Sequence, residues 1–174
     1  MMTHAFALAL LVAVPVRSGE HDIFDRDVPV LSARPTVVLF ANRATGDAIQ
    51  DPLSDFSVRT DDLHPLIIVR LDLRDLPGLF RGFAYGNMRS RFSRALKCYK
   101  DESARLGHEP IQHAEDSLFF VVEDDGKAHR AQGLPPGFRT ALAIAYDATG
   151  REIARGPFPA SAPLLEQALR SAER

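Results

Sequence analysis

One cysteine in 174 residues removes most thiol chemistry at the outset. A single thiol cannot close an internal disulfide, cycle as a dithiol, or build a cysteine zinc cluster within one chain. An excess of charge of one sign is also missing. The 21 Lys and Arg residues stand against 23 Asp and Glu, a formal net charge of -2 at pH 7. Bulk electrostatics therefore do not argue for nucleic acid, and no nucleic-acid partner is expected. There is no G-x-x-x-x-G-K-[ST] phosphate loop, no G-x-G-x-x-G and no G-x-S-x-G elbow, so nucleotide binding and elbow-type serine hydrolysis lose their local signatures. No period repeats, and no segment is low in complexity. No cofactor and no metal are expected.

Long apolar runs are scarce too. The longest, Ala5 to Val14, has the length of a signal-peptide core and is too short to cross a bilayer. Pro15, Ser18 and Gly19 follow it. Residues 1–19 are therefore expected to be an export signal, which places the mature protein in the periplasm or outside the cell. No stable membrane insertion is expected after its removal. No cysteine follows the run, which excludes a lipoprotein anchor. Residues 20–34 are mixed and polar and are expected to be an extended lead-in to one domain spanning 35–174.

What is present is a dense strand pattern. Ser117 to Phe158 carries an apolar run at 118–122, a stop at Glu123-Asp124-Asp125-Gly126, and a short polar segment ending at Gly133. Pro135-Pro136-Gly137 breaks the chain. A second apolar run at 141–146 turns at Asp147-Ala148-Thr149-Gly150 into a strand over 151–155. Runs apolar at successive positions suit strands covered on both faces, and Gly150 supplies the positive φ that the hairpin turn demands. Further strands are predicted at 36–41 and 66–72. Helices are predicted at 48–60, capped by Asp47 or Asp51, and at 88–106, with Asn87 as N-cap and Gly107 as stop. A third is predicted at 163–173, opened by Pro163. Phe80 to Gly86 is read as an irregular aromatic connection.

The chemistry-bearing residues outside this frame are few. Asp72 and Asp75 are expected to pair with Arg70 or Arg74 rather than to hold a cation, because a hard-cation site needs more converging oxygens. His108, His113, Glu109, Glu115 and Asp116 lie in a loop without metal-ligand spacing. His129 is expected at the surface. Arg89, Arg91, Arg94, Lys97 and Lys100 make the helix at 88–106 the one basic region, read as a solvated face. Cys98 sits on that helix, at the edge of its apolar stripe.

The order strand, D-x-G, short helix, G-L-x, Thr-opened strand, D-x-x-G, strand, G-P-F, helix resembles the C-terminal half of thioredoxin-superfamily proteins. It is most similar to the TlpA and peroxiredoxin (AhpC/TSA)-like branch and to cysteine-poor YtfJ-like periplasmic proteins. The resemblance covers most of the chain after Pro35. It implies a thioredoxin-like three-layer α/β/α sandwich with a mixed sheet and a C-terminal β-hairpin plus helix. In that family a W-C-x-x-C motif follows the first central strand. Here Ala41 to Asp47 occupies the place, with Ala44 and Asp47 in the two cysteine positions. The peroxidatic T-x-x-C is missing as well, since Ala48 stands three residues after Thr45. The family's cis-proline slot, before Thr140, holds Arg139.

Exchange chemistry needs an activated thiolate and a resolving thiol, so the resemblance points to a redox-inactive binding or accessory module. Arg43, Thr45, Asp47 and Arg139 would be the surviving surface of the family's substrate groove, taking a protein or peptide partner. The alternative is a thiol enzyme or antioxidant that works through Cys98 alone. A disulfide-linked dimer through Cys98 is a further expectation.

Overall fold

The computed structural model describes residues 19–29, 34–109 and 114–173. The expected leader at 1–19 falls outside them except for Gly19, and so does His113.

The fold is built outward from β1 (Thr36–Asn42), a seven-residue strand buried at every position. Such a strand must be interior, and it is. It pairs in parallel with β2 (Leu66–Asp72) and antiparallel with β4 (Ala141–Tyr146). β3 (Leu118–Glu123) lies parallel outside β2, and β5 (Glu152–Phe158) antiparallel outside β4. The strand order is therefore β3-β2-β1-β4-β5.

Chain direction decides the layers. The steps β1 to β2 and β2 to β3 move the same way across the sheet, so right-handed crossovers put both connecting helices on one face. Those helices are α1 (Gln50–Arg59) and α2 (Arg81–Arg105). The last helix, α4 (Ala162–Ala172), joins them. Leu53 and Phe56 of α1, Met88 and Phe92 of α2, and Leu165 and Leu169 of α4 share one core with Val37, Leu39, Val69 and Phe120. The return from β3 to β4 crosses the opposite face through the five-residue α3 (Lys127–Ala131). There Val38, Phe40, Ile68, Ile144 and Tyr146 form the second core, with Val28 and Leu134 against it. The mixed-sheet α/β/α sandwich is the architecture expected from the sequence, with an uneven outer layer: three full helices on one side, one short helix on the other.

The hairpin at 147–150 forms as anticipated. Gly150 has φ +81°, and Asp147 Oδ1 accepts hydrogen bonds from the Thr149 and Arg151 backbone N–H groups at 2.9 and 3.0 Å. Gly107, at φ +74°, follows the end of α2.

Three elements differ from expectation. α2 begins at Arg81, after a tight turn at Gly78–Phe80, so the aromatic segment is helical and Asn87 lies inside the helix. Gly82 and Gly86 each weaken a helix by about 1 kcal/mol relative to alanine. The packing of Ala84, Tyr85 and Met88 against the core offsets that cost. α1 begins with Ile49 at its N-cap and no side-chain cap; Asp51 lies in its first turn, and Asp47 is occupied elsewhere. Residues 20–28 make a compact turn instead of an extended lead-in, with His21 bridging Asp27. Asp22 closes that turn by accepting the Phe24 and Arg26 backbone N–H groups at 2.9 and 3.0 Å. The Ile23 N–H then donates to the Phe120 carbonyl at 2.9 Å, fastening the turn to β3.

Phe56 is fully buried beneath α1 and meets Phe158 edge-on, with ring centroids 6.2 Å apart. Replacing it by alanine should destabilise the fold by roughly 3–5 kcal/mol, read as a lower midpoint in urea unfolding with an unchanged slope.

Candidate functional site

β1 ends at Asn42, and the loop after it is organised by that one buried side chain. The Asn42 amide nitrogen donates to the Phe138 carbonyl at 2.7 Å, and its Oδ1 accepts the Thr45 N–H at 3.0 Å. The Asn42 N–H donates to the Thr45 hydroxyl at 3.0 Å, and the Gly46 N–H donates to the Asn42 carbonyl at 2.9 Å. The loop is thus closed on itself. Thr45 is buried with its hydroxyl turned inward, while Arg43 and Ala44 sit exposed at the apex.

Asp47 points outward and forms an ion pair with Arg91 of α2 at 2.7 Å. Gly46 permits that approach, because a Cβ there would stand 3.3 Å from Arg91 Nη1 and 3.2 Å from the Asn42 carbonyl oxygen. Arg139 is exposed and follows Phe138, whose carbonyl Asn42 holds. Of the four expected groove residues, Arg43, Asp47 and Arg139 are therefore on the surface and Thr45 shapes the loop from within.

Beside this loop lies a cavity of about 660 Å³. Val69, Leu71 and Leu73 of the β2 segment and Phe120 of β3 form its floor. Leu53 of α1 faces Ala84, Met88 and Ala95 of α2 across it. Asn42, Arg43, Gly46, Asp47, Asn87 and Arg91 ring the opening, and Phe80 and Phe83 stand at its outer lip. The small side chains of Ala84 and Ala95 leave the space that larger ones would fill. Apart from the charged and amide groups at the opening, the lining is largely hydrocarbon, which is the usual make-up of a small-molecule site. Cys98 does not line this cavity; it is half-buried on α2.

Behind the loop, on the other face of the sheet, is a buried charge cluster. Arg70 donates to Glu20 through both Nη atoms at 2.9 and 2.6 Å, and to Glu123 Oε1 at 2.6 Å. Glu123 Oε2 accepts the Ala128 N–H at 3.0 Å and faces His129 Nδ1 at 3.0 Å. His129 Nε2 faces the Ala41 carbonyl at 3.2 Å. Both ring nitrogens thus lie within hydrogen-bond distance of oxygen atoms. Burial alone would push the Glu123 carboxyl up. The hydrogen bond from His129 and the charge of Arg70 outweigh it and hold that carboxyl at about 2.

One sequence expectation is corrected here. His129 is fully buried, because α3 turns it under the sheet between Phe40 and Phe138. Of the two arginines offered to the loop acids, Arg74 takes Asp72 as expected, whereas Arg70 pairs with Glu20 and Glu123. Asp72 is buried and pairs with Arg74 at 2.6 Å. Sequence reasoning did not find Asn42, Asn87, Arg91 or the Phe80 and Phe83 lip as parts of one site. The signal available was the run Gly78-Leu79-Phe80-Arg81-Gly82-Phe83, apolar where a surface loop should be polar.

No family model matches the chain, and no curated protein matches it. Solved structures do. A secreted disulfide oxidoreductase of Mycobacterium tuberculosis, homologous to E. coli DsbE, aligns with a TM-score of 0.52 at 13% identity, covering 87% of this chain and 93% of that one. A thioredoxin-like protein from Aeropyrum pernix aligns at 0.52 and 12% identity, over 87% of each chain. The bacterioferritin comigratory protein of Xanthomonas campestris, described with alkyl peroxide reduction activity, aligns at 0.51 and 12% identity, over 88% of this chain and 90% of that one. At such identities the likeness shows the fold alone: the fold is thioredoxin-like.

Because the Glu123 carboxyl lies well below its ordinary value in the folded state, its contribution to stability is complete above about pH 5 and declines as pH falls towards 2. The wild-type protein should lose on the order of 3 kcal/mol across that window. Glu123→Gln should flatten the acid limb of a plot of unfolding free energy against pH. Separately, Asn42→Leu should cost about 1–3 kcal/mol, since it leaves the buried Phe138 carbonyl and Thr45 N–H without partners; thermal unfolding checks it.

Proposed function

We propose that the protein is an exported thioredoxin-fold module that binds a ligand and does not exchange thiols. The observation that carries this reading is the content of the β1–α1 loop. Ala44 and Asp47 stand where the resembled family has its cysteines. The one hydroxyl nearby, on Thr45, is committed to Asn42, and Asp47 is paired with Arg91. No activated nucleophile stands there to attack a disulfide or a peroxide. What the loop does border is an open apolar cavity with arginines at its rim. Arg43, Asp47 and Arg139 are the exposed groups by which an occupant or partner would be recognised. Export rests on the apolar run at 5–14, and the secreted setting of one structural neighbour is consistent with it. Among the described residues, no helix is long and apolar enough to cross a membrane.

Dithiothreitol-driven reduction of insulin and consumption of a hydroperoxide test the reading directly, with Cys98→Ser as control. The rates should equal those of buffer for both proteins. A rate that the wild type shows and Cys98→Ser lacks would move the chemistry to Cys98 on α2 and overturn the binding-module reading.

A further inference from the structure

We infer that the cavity between α1 and α2 takes a single-chain amphiphile with an anionic head, of the class of long-chain alkyl carboxylates. The inference rests on the binding-module reading and names its ligand.

Hydrogen bonding decides what can enter. The floor belongs to β2 and β3, and every residue of β2 is in register with β1 on one side; from Ile67 onwards it is also in register with β3 on the other. The backbone groups of β2 are therefore spent within the sheet. The loop beside the cavity is spent too, since the Asn42, Thr45 and Gly46 N–H groups all donate within the loop. The edge strand β3 meets the floor at Phe120, whose carbonyl already accepts the Ile23 N–H, so an extended peptide drawn into this space would bury amides unpaired, which is costly. An aliphatic chain has no such requirement. Leu53, Leu71, Leu73, Met88 and Phe120 offer it hydrocarbon alone. The volume of about 660 Å³ lies within the range of small-molecule sites, roughly 300–1,000 Å³.

The opening decides the head group. Arg43 and Arg91 face one carboxylate, Asp47, so the rim carries one positive charge more than it neutralises. Arg43 has no charged partner among the described residues. Asp47 is 81% exposed in its pair with Arg91. Such a pair contributes little, so an incoming carboxylate can displace it and form the stronger two-pronged contact with the guanidinium. The Asn87 amide adds a neutral donor beside it.

The lip is consistent with a chain passing over it. Leu79, Phe80 and Phe83 are 93%, 56% and 80% exposed, and Phe80 and Phe83 also line the cavity. Three large apolar side chains left in water within five residues mark a surface that something covers. A chain emerging from the cavity would cover it.

The test is calorimetric titration of the whole protein with octanoate, decanoate and dodecanoate below their micellar concentrations. Binding should saturate at one per chain, with Kd falling about fourfold for each added methylene. Dodecyltrimethylammonium should bind at least tenfold more weakly than dodecanoate. Arg43→Gln with Arg91→Gln should weaken dodecanoate about tenfold and remove its advantage over dodecanol. Ala84→Trp should fill the cavity and abolish binding. Phe83→Ser, on an exposed position that the fold does not need, should weaken dodecanoate more than octanoate.

Absence of saturable dodecanoate binding would overturn the inference, as would a Kd independent of chain length. Binding undiminished in both Ala84→Trp and Phe83→Ser would do the same. Cosedimentation with phosphatidylglycerol vesicles without binding of monomeric carboxylates would assign the lip to a membrane surface instead. Displacement of dodecanoate by an unstructured peptide at equal concentration would assign the cavity to peptide. The redox assays are a separate readout: silent assays with no amphiphile binding would remove the ligand class and leave the module reading standing.

Discussion

The Glu123 carboxylate is the point on which the rest of the structure turns. It ends β3, accepts the Arg70 guanidinium from β2, and receives the Ala128 N–H and the His129 ring from α3. Through Arg70 it reaches Glu20 in the N-terminal turn, and through His129 it reaches the Ala41 carbonyl on β1. Five segments meet around one buried carboxyl, three of them far from it in sequence. The Arg70 guanidinium lies between the Glu20 and Glu123 carboxylates, and His129 presents a ring nitrogen to Glu123, so none of these groups is buried without a polar partner. The thin face of the sandwich depends on this arrangement, because α3 is only five residues long and cannot hold itself against the sheet by propensity.

That cluster also fixes the site from behind. His129 holds Ala41, the next residue is Asn42, and Asn42 holds both the loop that follows β1 and the Phe138 carbonyl before β4. The two loops that converge at the mouth of a thioredoxin-like fold are therefore tied together by backbone and amide hydrogen bonds. Thiol chemistry has no residue there, while rigidity is retained.

The opposite face shows a different economy. α1 and α2 pack against the same side of the sheet, but alanines at 84 and 95 leave the space between them unfilled near the loop. The exposed aromatics at the start of α2 continue that apolar surface into solvent. A void of this kind loses contacts that a filled core would gain. It lies beside a rim that carries Arg43 and Arg91.

Much of the frame was legible in the chain. Apolar runs at 36–41, 66–72, 118–122 and 141–146 mark strands covered on both faces, because a residue facing either layer is mostly apolar. Asp147 to Gly150 marks a hairpin, because its geometry is local. That residues 43–47 lie in the loop after a strand was legible, because the apolar run stops there. The start of α2 was not legible: Gly82 and Gly86 read locally as breakers, and only the packing of Ala84, Tyr85 and Met88 makes that stretch helical. Nor were the burial of His129 and the partners of Arg70 legible, since each depends on a crossover that brings residues 20, 70, 123 and 129 together. The sequence by itself determined the order and type of the strands and the absence of a thiol couple, which are properties of local pattern and residue identity. Tertiary structure alone decided the charge cluster and the cavity, because both are relations between elements: paired charges drawn from distant segments, and a volume that belongs to no residue.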